Sequence, residues 1–261
     1  MLPTLTIGSL TLPVAPLLTI ASFWVGLWVA ARAGKRLGID EDVIFNAGFY
    51  GAVAGLIGAR VWYVIEYWSF YRDRPGDIFA LNFNTLAPLE GILTGLVVAT
   101  IYLQRKRVPG ASLLDALAPG LAAFAAGLSL ANLAAGAAYG EPADLPWAIE
   151  LWDARRHPTQ IYDFVLTLGI WLVTWRIVVG SGDPTPTGRP GRAFAAFLAL
   201  LSAARLFSEG FRGDSAALDG GWRLMQLLWL AVLLASLVAL AWLDTRPRNV
   251  PEPREAEGMN D

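Results

Sequence analysis

The sequence predicts an all-α integral membrane protein of seven transmembrane helices, with the N-terminus outside and the C-terminus in the cytoplasm. Composition sets the class: 55% of the 261 residues are apolar and 16% are charged, against about 25% charged in soluble domains, and mean hydropathy is +0.48. Spacing sets the count, because seven apolar stretches approach the roughly 20 residues that a spanning helix needs. Charge sets the orientation, since loops rich in Lys and Arg stay cytoplasmic. With the N-terminus outside, the cytoplasmic segments hold Arg32, Lys35, Arg36, Arg105, Lys106, Arg107, Arg176, Arg189, Arg192, Arg246, Arg248 and Arg254, and the outer segments hold six arginines, among them Arg155 and Arg156.

The helices are expected at roughly 14–33, 43–67, 86–104, 112–138, 160–180, 192–211 and 224–243, forming a single transmembrane domain over 1–245. The opening MLPTLTIGSL lacks a basic region, so the first run is expected to remain as a helix rather than be cleaved. Pro119 is a candidate kink in the fourth helix, and Asp115 a candidate cap or polar contact at its cytoplasmic end. Trp62, Trp68, Trp147, Trp152 and Trp222 fall near predicted outer ends and suit an aromatic belt. The tail 246–261, rich in Pro and Glu, is expected to be disordered.

No cysteine is present, which excludes disulfides, Cys-based metal sites and a thiol nucleophile belonging to the chain. No basic block points to nucleic acid, and no cofactor or metal is expected.

Ionisable groups inside hydrocarbon cost about 2.5–3.5 kcal/mol on insertion scales, so each needs a partner or a purpose. Arg60 in GARVWYVIEY, Glu90 in LAPLEGILTG, and Arg205 and Glu209 in SAARLFSEGF stand out. Arg60 and Tyr63 are three apart and share a helix face, and Arg205 and Glu209 are four apart and can pair along one helix. Such groups also suit an intramembrane relay in a small-solute or proton-coupled carrier. Between the fourth and fifth helices, YGEPADLPWAIELWDARRHPTQIYD is too broken by proline for a helix and should lie at the outer interface. There LPWAIELW suits a short strand, the Arg155–Arg156 pair suits lipid headgroups, and the lone His157 is either a base or a hydrogen-bonded structural residue.

This segment resembles the "G.PTDLPWA…RHPTQLYE" stretch of prolipoprotein diacylglyceryl transferases. GARVWYV, LLDALAPG, ARLFSEGFR and LMQLL resemble further motifs of that family, in order from Gly58 to Leu228. The resemblance implies transfer of the diacylglyceryl group of phosphatidylglycerol to the lipobox cysteine of a prolipoprotein at a bacterial cytoplasmic membrane, by a multi-pass enzyme. It implies that Arg60 and Arg205 clamp the departing phosphate, that Glu209 orients Arg205, and that Asn132 contacts the headgroup or backbone. Tyr63, Arg156, His157 and Gln160 are expected to line the substrate site. The chain departs from the family at Glu90, where a histidine is expected, at Ser129, where an arginine is expected, and at Ala135 and Ala137, which replace an asparagine and a glutamate. Glu90 then serves as the base; the alternative is a lipid-binding or assembly protein that kept the fold and lost the chemistry.

Overall fold

A computed structural model describes residues 4–7, 10–79, 85–180, 189–215 and 223–245. Trp222 and the tail expected to be disordered lie outside them. Among the described residues seven helices have 18 residues or more: α1 (Val14–Arg36), α2 (Glu41–Glu66), α4 (Pro88–Arg105), α5 (Gly110–Ala135), α6 (Thr159–Val179), α7 (Arg192–Glu209) and α8 (Leu224–Thr245). Of these, α1, α2, α5, α6 and α8 are long and apolar enough to cross a bilayer. The other two are shorter, 18 residues each: α4 carries Glu90 and Arg105, and α7 carries Arg192, Arg205 and Glu209.

Local chemistry sets the boundaries. Asp40 caps α2 by accepting from the Asp42 amide at 3.0 Å, and Glu41 and Asp42 place negative charge at the positive end of the helix dipole. Pro88 opens α4, where its missing N–H costs nothing. Short elements supplement the long helices in the first part of the chain: strands β1 (Thr4–Ile7) and β2 (Leu10–Pro13) pair as an antiparallel hairpin before α1, while α3 (Trp68–Tyr71) and a 3-10 turn (Pro75–Phe79) follow α2.

The chain divides into two compact units, residues 39–109 and residues 1–38 with 110–261. In the first, α2 and α4 pack along a seam of small residues: a Cβ on Gly95 would lie 2.5 Å from the Gly51 carbonyl oxygen, so only glycine permits the approach. In the second, α5 is the hub, packing on α1, α6 and α7 through an alanine-rich face on which Ala116, Ala118 and Ala122 are fully buried. Gly26 and Gly120 let α1 and α5 cross backbone to backbone, and α5 continues as a helix through Pro119. Asp115 is a cap, though not of its own helix. Its carboxylate accepts from the amides of Gly191 at 2.7 Å and Phe194 at 2.9 Å, closing the N-terminus of α7 from α5.

Candidate functional site

The site in the second unit is framed by the segment linking α5 to α6. Strands β3 (Ile149–Leu151) and β4 (Ala154–Arg156) pair around Trp152 and Asp153, both with positive φ as a tight two-residue hairpin requires. The short strand expected in LPWAIELW is therefore present. Where α5 ends, three successive carbonyls are captured by side chains of this segment. Trp152 Nε1 donates to Gly136 at 3.0 Å, Gln160 Nε2 to Ala137 at 2.7 Å, and Thr159 Oγ1 to Ala138 at 2.6 Å. Buried carbonyls beyond a helix end must find donors, and here the sequence supplies one for each.

The same segment is strapped to the end of α7. The Glu141 amide donates to Phe211 O at 2.8 Å and the Gly213 amide to Tyr139 O at 2.9 Å. Arg223, just before α8, donates to the carbonyls of Glu209 and Arg212 and to the Glu141 carboxylate. Gly140 permits the crossing, since a Cβ there would lie 2.4 Å from His157 O.

Beneath this frame sits a buried ion pair. Arg205 Nη1 donates to Asp163 Oδ2 at 2.5 Å, with the two side chains 19% and 6% exposed. The intrahelical Arg205–Glu209 pair expected from sequence is replaced by this link from α7 to α6, which corrects the assignment of Glu209 as the group that orients Arg205. Arginine preceding glutamate by four is the weaker order along a helix, and side chains lean toward the N-terminus, away from a residue one turn ahead. Glu209 instead accepts from the Ser215 hydroxyl and lies 3.8 Å from Arg212 Nε, while Arg212 forks onto Asp214 at 2.9 and 3.0 Å. The Asp214 and Glu209 carboxylates offset the burial of Arg212 and raise its pKa above the ordinary guanidinium value.

The remaining expected site residues differ in accessibility. Gln160 is 1% exposed and spends its amide nitrogen on the Ala137 carbonyl, so its observed task is to hold the chain turn. His157 packs its ring 5.0 Å from that of Phe211, with Nδ1 3.4 Å from the Tyr162 hydroxyl, the structural environment weighed for it. Arg156 donates to Leu151 O at 3.0 Å and Gly140 O at 3.3 Å and lies over the Tyr139 ring, while Arg155 meets Asp144. Both arginines thus tie down the hairpin segment. Asn132 is half-buried one turn from the end of α5, and Ser129 is buried with its hydroxyl returned to the Ala125 carbonyl at 3.0 Å.

In the unit of residues 39–109, Arg60 and Tyr63 meet around one buried ring: the Arg60 guanidinium lies 5.4 Å from the Tyr71 centroid, and the Tyr63 ring 6.5 Å from it. Arg60 is heavily committed. Nε donates to Ile78 O at 2.9 Å, Nη2 to Asp77 O at 2.6 Å, and Nη1 to Thr85 O at 2.8 Å and to the Thr85 hydroxyl. Glu90 is half-buried in the first turn of α4, at the end of the helix dipole that favours negative charge.

Sequence reasoning passed over Asp163 as a site residue. The signal was available, because Asp163 is the only carboxylate in α6 and the rule that singled out Arg205 applies to it equally.

Long apolar helices and an arginine–carboxylate pair at the helix ends define the class: a multi-pass helical membrane protein with a polar internal site. The chain belongs to the prolipoprotein diacylglyceryl transferase family, whose model matches residues 4–242. It is 29% identical over 265 residues to the phosphatidylglycerol–prolipoprotein diacylglyceryl transferase of Trichormus variabilis, covering 96% of this chain and 94% of that one. Enzymes of the same name from Clostridioides difficile (28% over 225 residues, 86% and 88% covered) and Synechococcus elongatus (28% over 262 residues, 96% and 90% covered) are similarly related.

Proposed function

We propose that this chain transfers the diacylglyceryl group of phosphatidylglycerol to the lipobox cysteine thiol of prolipoproteins, as a single seven-pass domain of the bacterial cytoplasmic membrane with its N-terminus outside. In that orientation the end of α7, the start of α6 and the link between α5 and α6 face the outer leaflet. The observation that carries the reading is the Arg205–Asp163 pair: a guanidinium held inside a membrane helix bundle by one carboxylate, within a chain matched to the family over nearly its whole length.

The reaction forms a sulfur–carbon bond to the diacylglyceryl carbon and breaks the bond from that carbon to the phosphate oxygen. Glycerol phosphate leaves with the electron pair, and the thiol proton goes to a base. Charge builds on the departing phosphate, so a preorganised cation lowers the barrier most. Arg205 serves that role: Asp163 engages it through Nη1 and fixes the plane of the fork, which leaves donors for a phosphate. Arg60 is the second cation, a role in which phosphate oxygens replace carbonyl acceptors. Glu90 is the base that favours the thiolate, while Tyr63, Asn132, Arg156 and His157 shape the surrounding surface, and Gln160 and Glu209 brace it.

The test is expression of the chain in a host depleted of its own transferase, with mass spectrometry of a lipobox protein. Diacylglyceryl addition is expected; its absence from a folded, inserted protein overturns the assignment. That outcome favours the second reading, a lipid-binding family member without catalysis, which draws on Ser129 being buried and bonded to its own helix where the family carries an arginine.

A further inference from the structure

An apolar groove of about 410 Å³ runs between α1, α5 and α6. Its wall on α1 follows one helix face from Leu18 through Ala21 and Val25 to Val29, eleven residue steps, or roughly 16 Å at the rise of an α-helix. The floor consists of small residues of α5, Ala123, Ala126 and Gly127. Val25 and Trp28 are more than half exposed, so the groove opens sideways between spanning helices, where the surroundings are hydrocarbon.

Dimensions select the occupant. Even with its open mouth included the space is about 900 Å³, a cross-section of roughly 55 Å² over that length, whereas a helix of about 10 Å diameter needs about 80 Å². A signal-peptide helix or the helix of a second copy does not fit inside; one extended polymethylene chain does. Position supplies the second argument. Leu130 and Phe164, at one end of the groove, directly follow Ser129 and Asp163, so that end lies level with the Arg205–Asp163 pair. The other end is lined by Trp28 and Trp171. A phospholipid headgroup at the level of that pair therefore has, from the same depth inward, a slot for one tail between α1, α5 and α6.

The geometry points to this groove as a seat for one acyl chain of the phosphatidylglycerol substrate, and so as a determinant of chain length, with Trp28 and Trp171 at its far end. The inference rests on the proposed transfer reaction for the identity of the lipid. Lipid tails are as apolar as the groove, so selectivity comes from shape and packing rather than from escape from water.

Ala21→Trp fills the groove from an exposed position without entering the core. With purified full-length protein, the KM for dipalmitoyl phosphatidylglycerol is expected to rise roughly fivefold while that for the dioctanoyl lipid stays within about twofold, a smaller discrimination than a water-facing pocket gives because bulk lipid competes. Trp171→Ala should shift the preference toward longer chains. Equal changes for both lipids in Ala21→Trp, or no change in either, overturn the seat. A second arm is independent of transfer: native mass spectrometry after delipidation should show the wild type retaining the dipalmitoyl over the dioctanoyl lipid, and Ala21→Trp losing that difference. Chain-length discrimination without transfer keeps the groove and removes the enzymatic reading; a wild type that retains both lipids equally removes the groove.

Discussion

Arg60 and Arg205 come from the same sequence argument, a cation stranded in an apolar run, yet the structure gives them opposite surroundings. Around Arg60 the acceptors among the described residues are neutral: backbone carbonyls of Asp77, Ile78 and Thr85, a hydroxyl, and the face of Tyr71. These dipoles hold the guanidinium without cancelling its charge, and the guanidinium in turn organises the connection from α2 to α4. Around Arg205 the acceptor is a carboxylate, which largely neutralises the charge and fixes the fork between α6 and α7. One arginine builds a loop and keeps its field; the other is aimed by a counterion and keeps its donors. Of the two, Arg205 has the preorganisation that stabilising a departing phosphate demands.

The comparison breaks first at Arg205. Arg205→Ala should lower diacylglyceryl transfer about 100- to 1,000-fold in a purified-protein assay, the usual loss for one preorganised charge; residual activity close to wild type would show that α7 supplies no cation to the reaction. Glu90→Gln should slow transfer by about 100-fold near neutral pH and by less as pH rises toward about 8.5, where the substrate thiol ionises unaided; a pH-independent defect would assign Glu90 to architecture. Asp163→Asn strands a buried guanidinium and should cost about 3–5 kcal/mol in thermal or denaturant unfolding as well as activity, with Asp163→Glu restoring part of both. If the Asn variant is as stable as wild type, the pair is not the buried link described. Arg60→Lys should act more mildly, lowering transfer roughly tenfold, because an ammonium cannot satisfy forked carbonyl acceptors; cleavage by added protease within residues 75–85 should accelerate in parallel. The smallest effect is expected at Gln160→Leu, a stability loss of about 1–3 kcal/mol from the orphaned Ala137 carbonyl, with KM for lipid unchanged once the protein is folded. A raised KM there would return Gln160 to the substrate surface.

The long helices were legible because each depends on length and apolarity alone, properties of contiguous residues. Their ends were legible where a local residue sets them, as Asp40 does for α2 and Pro88 for α4. Features set by residues distant in sequence were not. Asp115 reads as a cap or a polar contact at the cytoplasmic face, but nothing near it in sequence names its partner, the N-terminus of α7, 76 residues ahead. Arg205 reads as the partner of Glu209 but finds Asp163, 42 residues back. Thr159 and Gln160 sit in a motif whose resemblance suggests substrate contact, while the structure spends their donors on a turn more than 20 residues earlier. The β1–β2 hairpin also escaped, because Thr4–Pro13 carries only a few alternating residues ahead of a much stronger helical signal.

The central claim concerns a contact between Arg205 and a lipid phosphate, and solid-state NMR measures that contact directly. Phosphorus-to-nitrogen dipolar coupling between phosphatidylglycerol and ¹⁵N-guanidinium-labelled protein should show a short-range contact that weakens in Arg205→Lys, vanishes when Arg60 is replaced by Lys as well, and persists at full strength in Arg156→Lys. A coupling that survives the loss of the Arg205 guanidinium undiminished would contradict the account.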